Sequence, residues 1–170
     1  HMIKKHLDIQ PLTNLAFKLL MIPALTLAAI GLYFSNDIMN LLYHEHGALS
    51  APVFTMLMFS FVCISTSYIF GTLLTANGSL QNLNLTALGG MILNISLNLF
   101  LIPQYKASGA AFAGLITQVI MALAQIILAV KILNWKPDWK LMGKLLLFFT
   151  LIALIANIAV RYYPDIKTIL

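Results

Sequence analysis

One cysteine, Cys63, stands in a chain of 170 residues. That excludes a disulfide scaffold and a cysteine-rich metal centre. Charge is scarce as well. Asp, Glu, Lys and Arg make up 9% of the residues, where an ordinary soluble domain holds about 25%. The sequence carries no phosphate-binding GxxxxGK[ST] loop, no GxGxxG and no GxSxG nucleophile elbow, so nothing in it points to ATP hydrolysis, dinucleotide binding or an esterase serine. We expect no enzymatic activity, no catalytic residues, no metal and no cofactor. A disordered tail and a soluble globular enzyme are excluded together by the apolar content, 61%, against about 45–50% in soluble domains. The formal charge of +5 comes from few basic residues placed beside hydrophobic runs. We read it as topology information rather than as a nucleic-acid footprint.

What the chain does have is long apolar runs. A helix needs roughly 20 apolar residues to cross a hydrocarbon core of about 30 Å. Five runs meet that length, at about 15–34, 53–75, 85–103, 108–132 and 142–160. Stretches such as Ile126-Ile127-Leu128-Ala129-Val130 do not alternate in polarity, so barrel strands are excluded. In lipid the remaining way to pair every backbone N–H is a helix. The expected fold is therefore all-α, a polytopic transmembrane bundle of about five membrane-spanning helices over 15–161.

Turn residues fall between the runs. Asn77-Gly78 is a turn signal, Pro103 closes the third run, and Ser108-Gly109 opens the fourth with Ser108 as a plausible N-cap. The break at 134–140 carries Trp135 and Trp139 and suits a membrane interface. Pro23 predicts a kink in the first helix. The segment 35–51 reads either as a short interfacial helix or as the end of the first span. His1-Met2 reads as a cloning scar, 3–14 as a cytoplasmic segment, and 162–170 as an extracytoplasmic tail or the start of a further helix. The first run is too long and too far in for a cleaved signal peptide.

Lys4, Lys5, Lys18, Lys131, Lys136, Lys140 and Lys144 fall on one side of this topology, and Lys106, Arg161 and Lys167 on the other. The positive-inside rule then places the N-terminus in the cytoplasm. An odd number of spans without an internal repeat predicts a piece of a larger protein, since transporters commonly pair two similar halves.

One block is more specific than composition. It runs Gly71-Thr72-Leu73-Leu74-Thr75-Ala76-Asn77-Gly78, then Leu93-Asn94-Ile95-Ser96-Leu97-Asn98-Leu99-Phe100-Leu101-Ile102-Pro103-Gln104-Tyr105, then Ala107-Ser108-Gly109-Ala110-Ala111-Phe112-Ala113-Gly114. It resembles the C-terminal half of the bacterial polysaccharide-biosynthesis flippases of the O-antigen type. These lie within the multidrug/oligosaccharidyl-lipid/polysaccharide exporter superfamily. The likeness covers roughly 15–133 and is strongest over 71–118. It departs at Lys106, where the family usually has Gly after the Tyr.

The resemblance implies part of a two-lobe transporter of the bacterial inner membrane. Its lobes would rock in alternating access to move a polyprenyl-diphosphate-linked oligosaccharide. The partners it implies are membrane lipids, the lipid-linked oligosaccharide and an N-terminal lobe of the same protein, with no nucleic acid.

None of the apolar runs contains Asp, Glu or Arg, and intramembrane charge is the strongest pointer to an ion site. Attention falls on amides. Asn94 and Asn98 share a helix face, as do Gln118 and Gln125. An amide in hydrocarbon must face protein or a watery cavity, so both pairs are candidates either for sugar contacts or for helix–helix hydrogen bonds. Ser60, Cys63, Ser67 and Gly71 form a small-residue stripe. Gly109/Ala113 and Ala110/Gly114 have small-xxx-small spacing, and both patterns predict close helix packing. His44-Glu45-His46 has too few ligands for zinc and reads as a solvated loop.

Three other readings stay open at this level. They are a drug or organic-cation exporter of the same superfamily, which would want an acidic cavity residue; a non-transporting membrane scaffold subunit; and a membrane glycosyltransferase or polymerase.

Overall fold

The computed structural model describes residues 10–43 and 47–162, with backbone alone at 47 and 48. The scar at 1–2, the His44-Glu45-His46 motif and the tail beyond 162 lie outside the described residues. Within them the chain is all-α. Five helices follow in order: α1 (Gln10–Tyr33), α2 (Ser35–Leu42), α3 (Gly47–Ala76), α4 (Leu80–Leu133) and α5 (Trp139–Tyr162). Four of them, α1, α3, α4 and α5, are long and apolar enough to cross a bilayer. By helix length and hydropathy the chain is a multi-span membrane protein.

The longest helix cannot be one straight rod. Its 54 residues would extend about 81 Å. Yet Asn94 Nδ2 donates to Thr117 Oγ1 at 3.2 Å across 23 residues, and Gly90 packs on the thioether of Met121. The chain therefore reverses within α4. The reversal lies at Lys106, the one residue of the helix with non-helical dihedrals (φ 53°, ψ −125°). The arms 80–105 and 107–133 are each about 40 Å long and lie antiparallel.

The two runs expected at 85–103 and 108–132 are thus the arms of one helical hairpin. Pro103 does not end the first arm, and Ser108 lies inside the second rather than capping it. The turn is sharper than expected because a single residue absorbs the reversal.

Other boundaries shift for local reasons. α1 begins at Gln10 rather than near 15 and runs through Pro23. Its early start is held by Gln10 Nε2, which donates to the Lys136 carbonyl at 2.6 Å, and by Asn14 Nδ2, which donates to Asp138 Oδ2 at 3.0 Å. The other oxygen of Asp138 accepts from the backbone N–H of Lys140 (3.1 Å) and Leu141 (3.2 Å). That is an N-cap on α5, and one carboxylate ties two helix starts together. α2 is a separate helix, broken from α1 at Phe34 (φ −115°, ψ 10°). α3 ends in a Schellman turn: Gly78 sits at φ 83°, Ser79 N–H donates to Leu74 O, and Gly78 N–H to Thr75 O, both at 2.9 Å.

α3 is the centre, packed on α1, α2 and α4, while α5 leans on α1. Against α1 the approach is close because Ala24 and Ala28 are fully buried. A β-carbon on Gly31 would lie 2.7 Å from Met58 Cγ, and Thr55 Oγ1 donates to the Gly31 carbonyl at 2.7 Å. At the end holding the α1 start, three aromatics interlock. Phe70 meets Trp135 edge-on at 5.0 Å, Phe17 meets Phe70 edge-on at 5.5 Å, and Phe17 stacks on Trp135 at 6.2 Å. Met21, Ile69, Ala129 and Leu141 complete that core. Trp135 is 4% exposed and Trp139 76%. Of the two indoles expected at an interface, Trp135 is instead a core residue, while Trp139 is exposed at the start of α5.

Candidate functional site

The last turns of α3 face both arms of α4 across an open cleft of about 560 Å³. α3 supplies Ile64, Ser67, Tyr68, Gly71, Thr72 and Thr75. The first arm of α4 supplies Leu83 and Ala87, and the second supplies Gln118 and Gln125. No charged side chain is among them. The spacing 68, 72, 75 puts the two threonines and the tyrosine on one helix face.

The hydroxyls are not equivalent. Thr72 Oγ1 donates to the Tyr68 carbonyl and Thr75 Oγ1 to the Gly71 carbonyl, each at 2.8 Å. Both protons are engaged within the helix, and each oxygen keeps lone pairs. Gln125 is 6% exposed, and its Oε1 is buried without a hydrogen-bond partner. Ser67 Oγ is in the same condition. An unmatched buried acceptor costs about 1–3 kcal/mol, and Asn98 Oδ1 inside the α4 hairpin is in the same condition. Gly71 leaves Gln125 room: a β-carbon at 71 would come within 3.3 Å of its Oε1.

The two amide pairs read from the sequence separate here. Gln118 and Gln125 both line the cleft. Asn94 and Asn98 are absent from its lining and join a chain inside the hairpin. Asn98 Nδ2 donates to Asn94 Oδ1 (2.9 Å), Asn94 Nδ2 to Thr117 Oγ1 (3.2 Å), and Thr117 Oγ1 to the Ala113 carbonyl (2.8 Å).

The small residues also divide. Ser60 is buried and donates to the Met56 carbonyl at 2.9 Å. Ser67 and Gly71 border the cleft rather than a sealed contact. Gly109 and Ala113 are buried where the α4 arms meet. Gly114 is not a packing residue, since a β-carbon there meets nothing within 4 Å. It lies about 100° around the helix from Ala113.

Tyr68, Thr72 and Thr75 went unremarked as site residues in the sequence, although their i, i+4, i+7 spacing was the available signal. A second groove, apolar and of about 190 Å³, shares Tyr68 and Thr72 with the cleft and is otherwise lined by Leu12, Thr13, Ala16, Leu20, Ile69 and Leu73. An uncharged cleft that mixes hydroxyl and amide groups with a larger apolar lining thus meets an apolar groove along one ridge of α3.

No family model, no curated protein and no solved structure matches the chain.

Proposed function

We propose that this chain is part of the C-terminal lobe of a membrane transporter that moves an amphipathic, lipid-linked glycan across the bacterial inner membrane. The observation that carries the proposal is the shared ridge at Tyr68 and Thr72. On one side an uncharged hydroxyl-and-amide cleft suits sugar, because such groups answer hydroxyls without needing a counter-charge. On the other an apolar groove suits a hydrocarbon chain. The resemblance of residues 71–118 to the O-antigen type of flippase supports the same reading. A second lobe of the same protein would supply the opposing wall and the diphosphate contacts, with the lobes rocking in alternating access.

Charge supports an orientation. Lys18, Lys131, Lys136, Lys140 and Lys144 are at the end where α1 and α5 begin, against Lys106 and Arg161 at the other. The cleft opens in the cytoplasmic half on that assignment, which is where a substrate made in the cytoplasm would enter. An organic-cation exporter would want a carboxylate in the cleft, and its lining holds none.

Deleting the gene in its source bacterium tests the reading. Loss of surface polysaccharide, with lipid-linked glycan accumulating in the cytoplasmic leaflet, is the expected result. Intact surface polysaccharide with a changed sensitivity to cationic drugs would replace it with the exporter. Loss of surface polysaccharide with no accumulation of lipid-linked glycan would point to a scaffold for the synthetic enzymes.

A further inference from the structure

We infer that Asn14, Trp135 and Asp138 form a binding site for one water molecule, which bridges the start of α5 to α1. The inference does not rest on the transport reading. Two observations meet at one place. Trp135 is 4% exposed, and its Nε1–H is buried without a protein partner. Asn14 Oδ1 is buried in the same condition. The first is a donor and the second an acceptor. Both residues line a single cavity of about 10 Å³, as does Asp138, and its other walls are apolar.

Volume and polarity fix the occupant. A cavity must reach roughly 10–15 Å³ to admit one water, so this one takes a water and nothing larger. The water accepts from the indole, donates to Asn14 Oδ1 and turns its second proton to the Asp138 carboxylate. Those partners are what an internal water needs. Asp138 has room for the third bond. Its Oδ2 accepts from Asn14 Nδ2 at 3.0 Å, and a carboxylate oxygen can take a second hydrogen bond. A monovalent cation would face the indole hydrogen, and a halide the carboxylate, so either leaves one wall mismatched. Turning the Asn14 amide over sets its oxygen against the Asp138 carboxylate and leaves the indole still unanswered.

The site bears on how α5 is held. Among the described residues of α5 only Leu141 is buried, so apolar burial secures this helix weakly. The water completes a polar clasp begun by the Asn14–Asp138 hydrogen bond, and it brings Trp135 into that clasp.

The test is water-ROESY NMR on the whole chain in phosphatidylcholine nanodiscs. It uses a Trp139→Phe parent, so that Trp135 gives the sole indole signal of a chain with two tryptophans. The indole proton is expected to show a cross-peak to water with the sign of a through-space contact, opposite to that of chemical exchange. No residue lining the cavity bears a hydroxyl that would imitate it. Asn14→Leu, similar in size, removes the acceptor and is expected to reduce the cross-peak roughly fivefold or more, the loss of a hydrogen bond to a buried group.

A parent spectrum with no cross-peak, or with one of exchange sign, would overturn the site, and that spectrum decides whether or not Asn14→Leu folds. An undiminished cross-peak in Asn14→Leu, shown by circular dichroism to be folded, would overturn the bridge to α1. The gene-deletion phenotype decides the transport reading separately.

Discussion

Gly109 lies directly against the carbonyl of Leu101, with no room for a β-carbon between them: one would sit 2.6 Å from the carbonyl carbon and 3.1 Å from the nitrogen of Ile102. The obstacle is backbone, which cannot rotate away. Gly109→Ala should therefore spread the α4 hairpin and destabilise the protein by about 1–3 kcal/mol, the usual cost of overpacking. Gly114→Ala is the control. It meets open space and should be neutral or stabilising by up to about 1 kcal/mol through helix propensity. Unfolding in mixed micelles, followed by circular dichroism, measures both. Equal effects at 109 and 114 would contradict the close approach.

Lys106 occupies φ 53° and ψ −125°, a backbone region open to glycine and strained for a residue with a β-carbon. The turn geometry calls for what glycine supplies. Lys106→Gly is expected to stabilise the hairpin by roughly 1 kcal/mol, partly offset by glycine's greater freedom in the unfolded chain. The same micelle unfolding experiment reads it, and a destabilised variant would mean that Lys106 makes compensating contacts at the membrane surface.

Asn94 and Thr117 join the two arms. Hydrogen bonds between membrane helices average about 0.6 kcal/mol in double-mutant cycles, so a cycle of Asn94→Leu and Thr117→Val should return a coupling of that order. In cells Asn94→Leu should lower the amount of protein in the membrane. Unchanged abundance with abolished surface polysaccharide would instead make Asn94 a transport residue.

Trp135 and Trp139 should report opposite environments. With Trp139 replaced by Phe, the remaining indole is enclosed by Phe17 and Phe70 and should resist quenching by brominated lipid and by acrylamide. With Trp135 replaced by Phe, the remaining Trp139 should be quenched readily. Trp135→Ala should cost roughly 3 kcal/mol, near the lower end for a large aromatic in a packed core. Trp135→Phe should cost much less, since it keeps a ring and removes an indole N–H that has no protein partner. Equal quenching of the two indoles would place Trp135 outside the core.

Much of the fold was legible because membrane helices are set by local rules. The apolar runs, the turn at Asn77-Gly78 and the break before α5 each depend on residues close in sequence, and a bilayer leaves the backbone few alternatives. Less legible was the way the arms of α4 turn. Pro103 and Ser108 carried the familiar punctuation signals, but the chain reverses at Lys106, a residue type that carries none. The cap from Asp138 is local, an Asp directly before α5; what spacing could not show is its tie to Asn14, 124 residues away.

The candidate site divides along the same line. That Asn94, Asn98, Gln118 and Gln125 must avoid lipid follows from the cost of an unpaired amide in hydrocarbon, and needs no coordinates. Which pair would be consumed in helix packing and which left open could not follow from spacing, because either spacing, four or seven residues, puts a pair on one helix face without saying what that face meets. Tertiary structure decided it. The antiparallel hairpin brings Thr117 to Asn94 and closes that chain of hydrogen bonds. The approach of α3 opposite Gln125 brings Gly71, a residue with no side chain to answer the amide. The sequence determined a multi-span helical membrane protein with uncharged polar groups inside it; the packing of α3 against the folded α4 determined that Gln125 Oε1 and Ser67 Oγ are left without a partner between them.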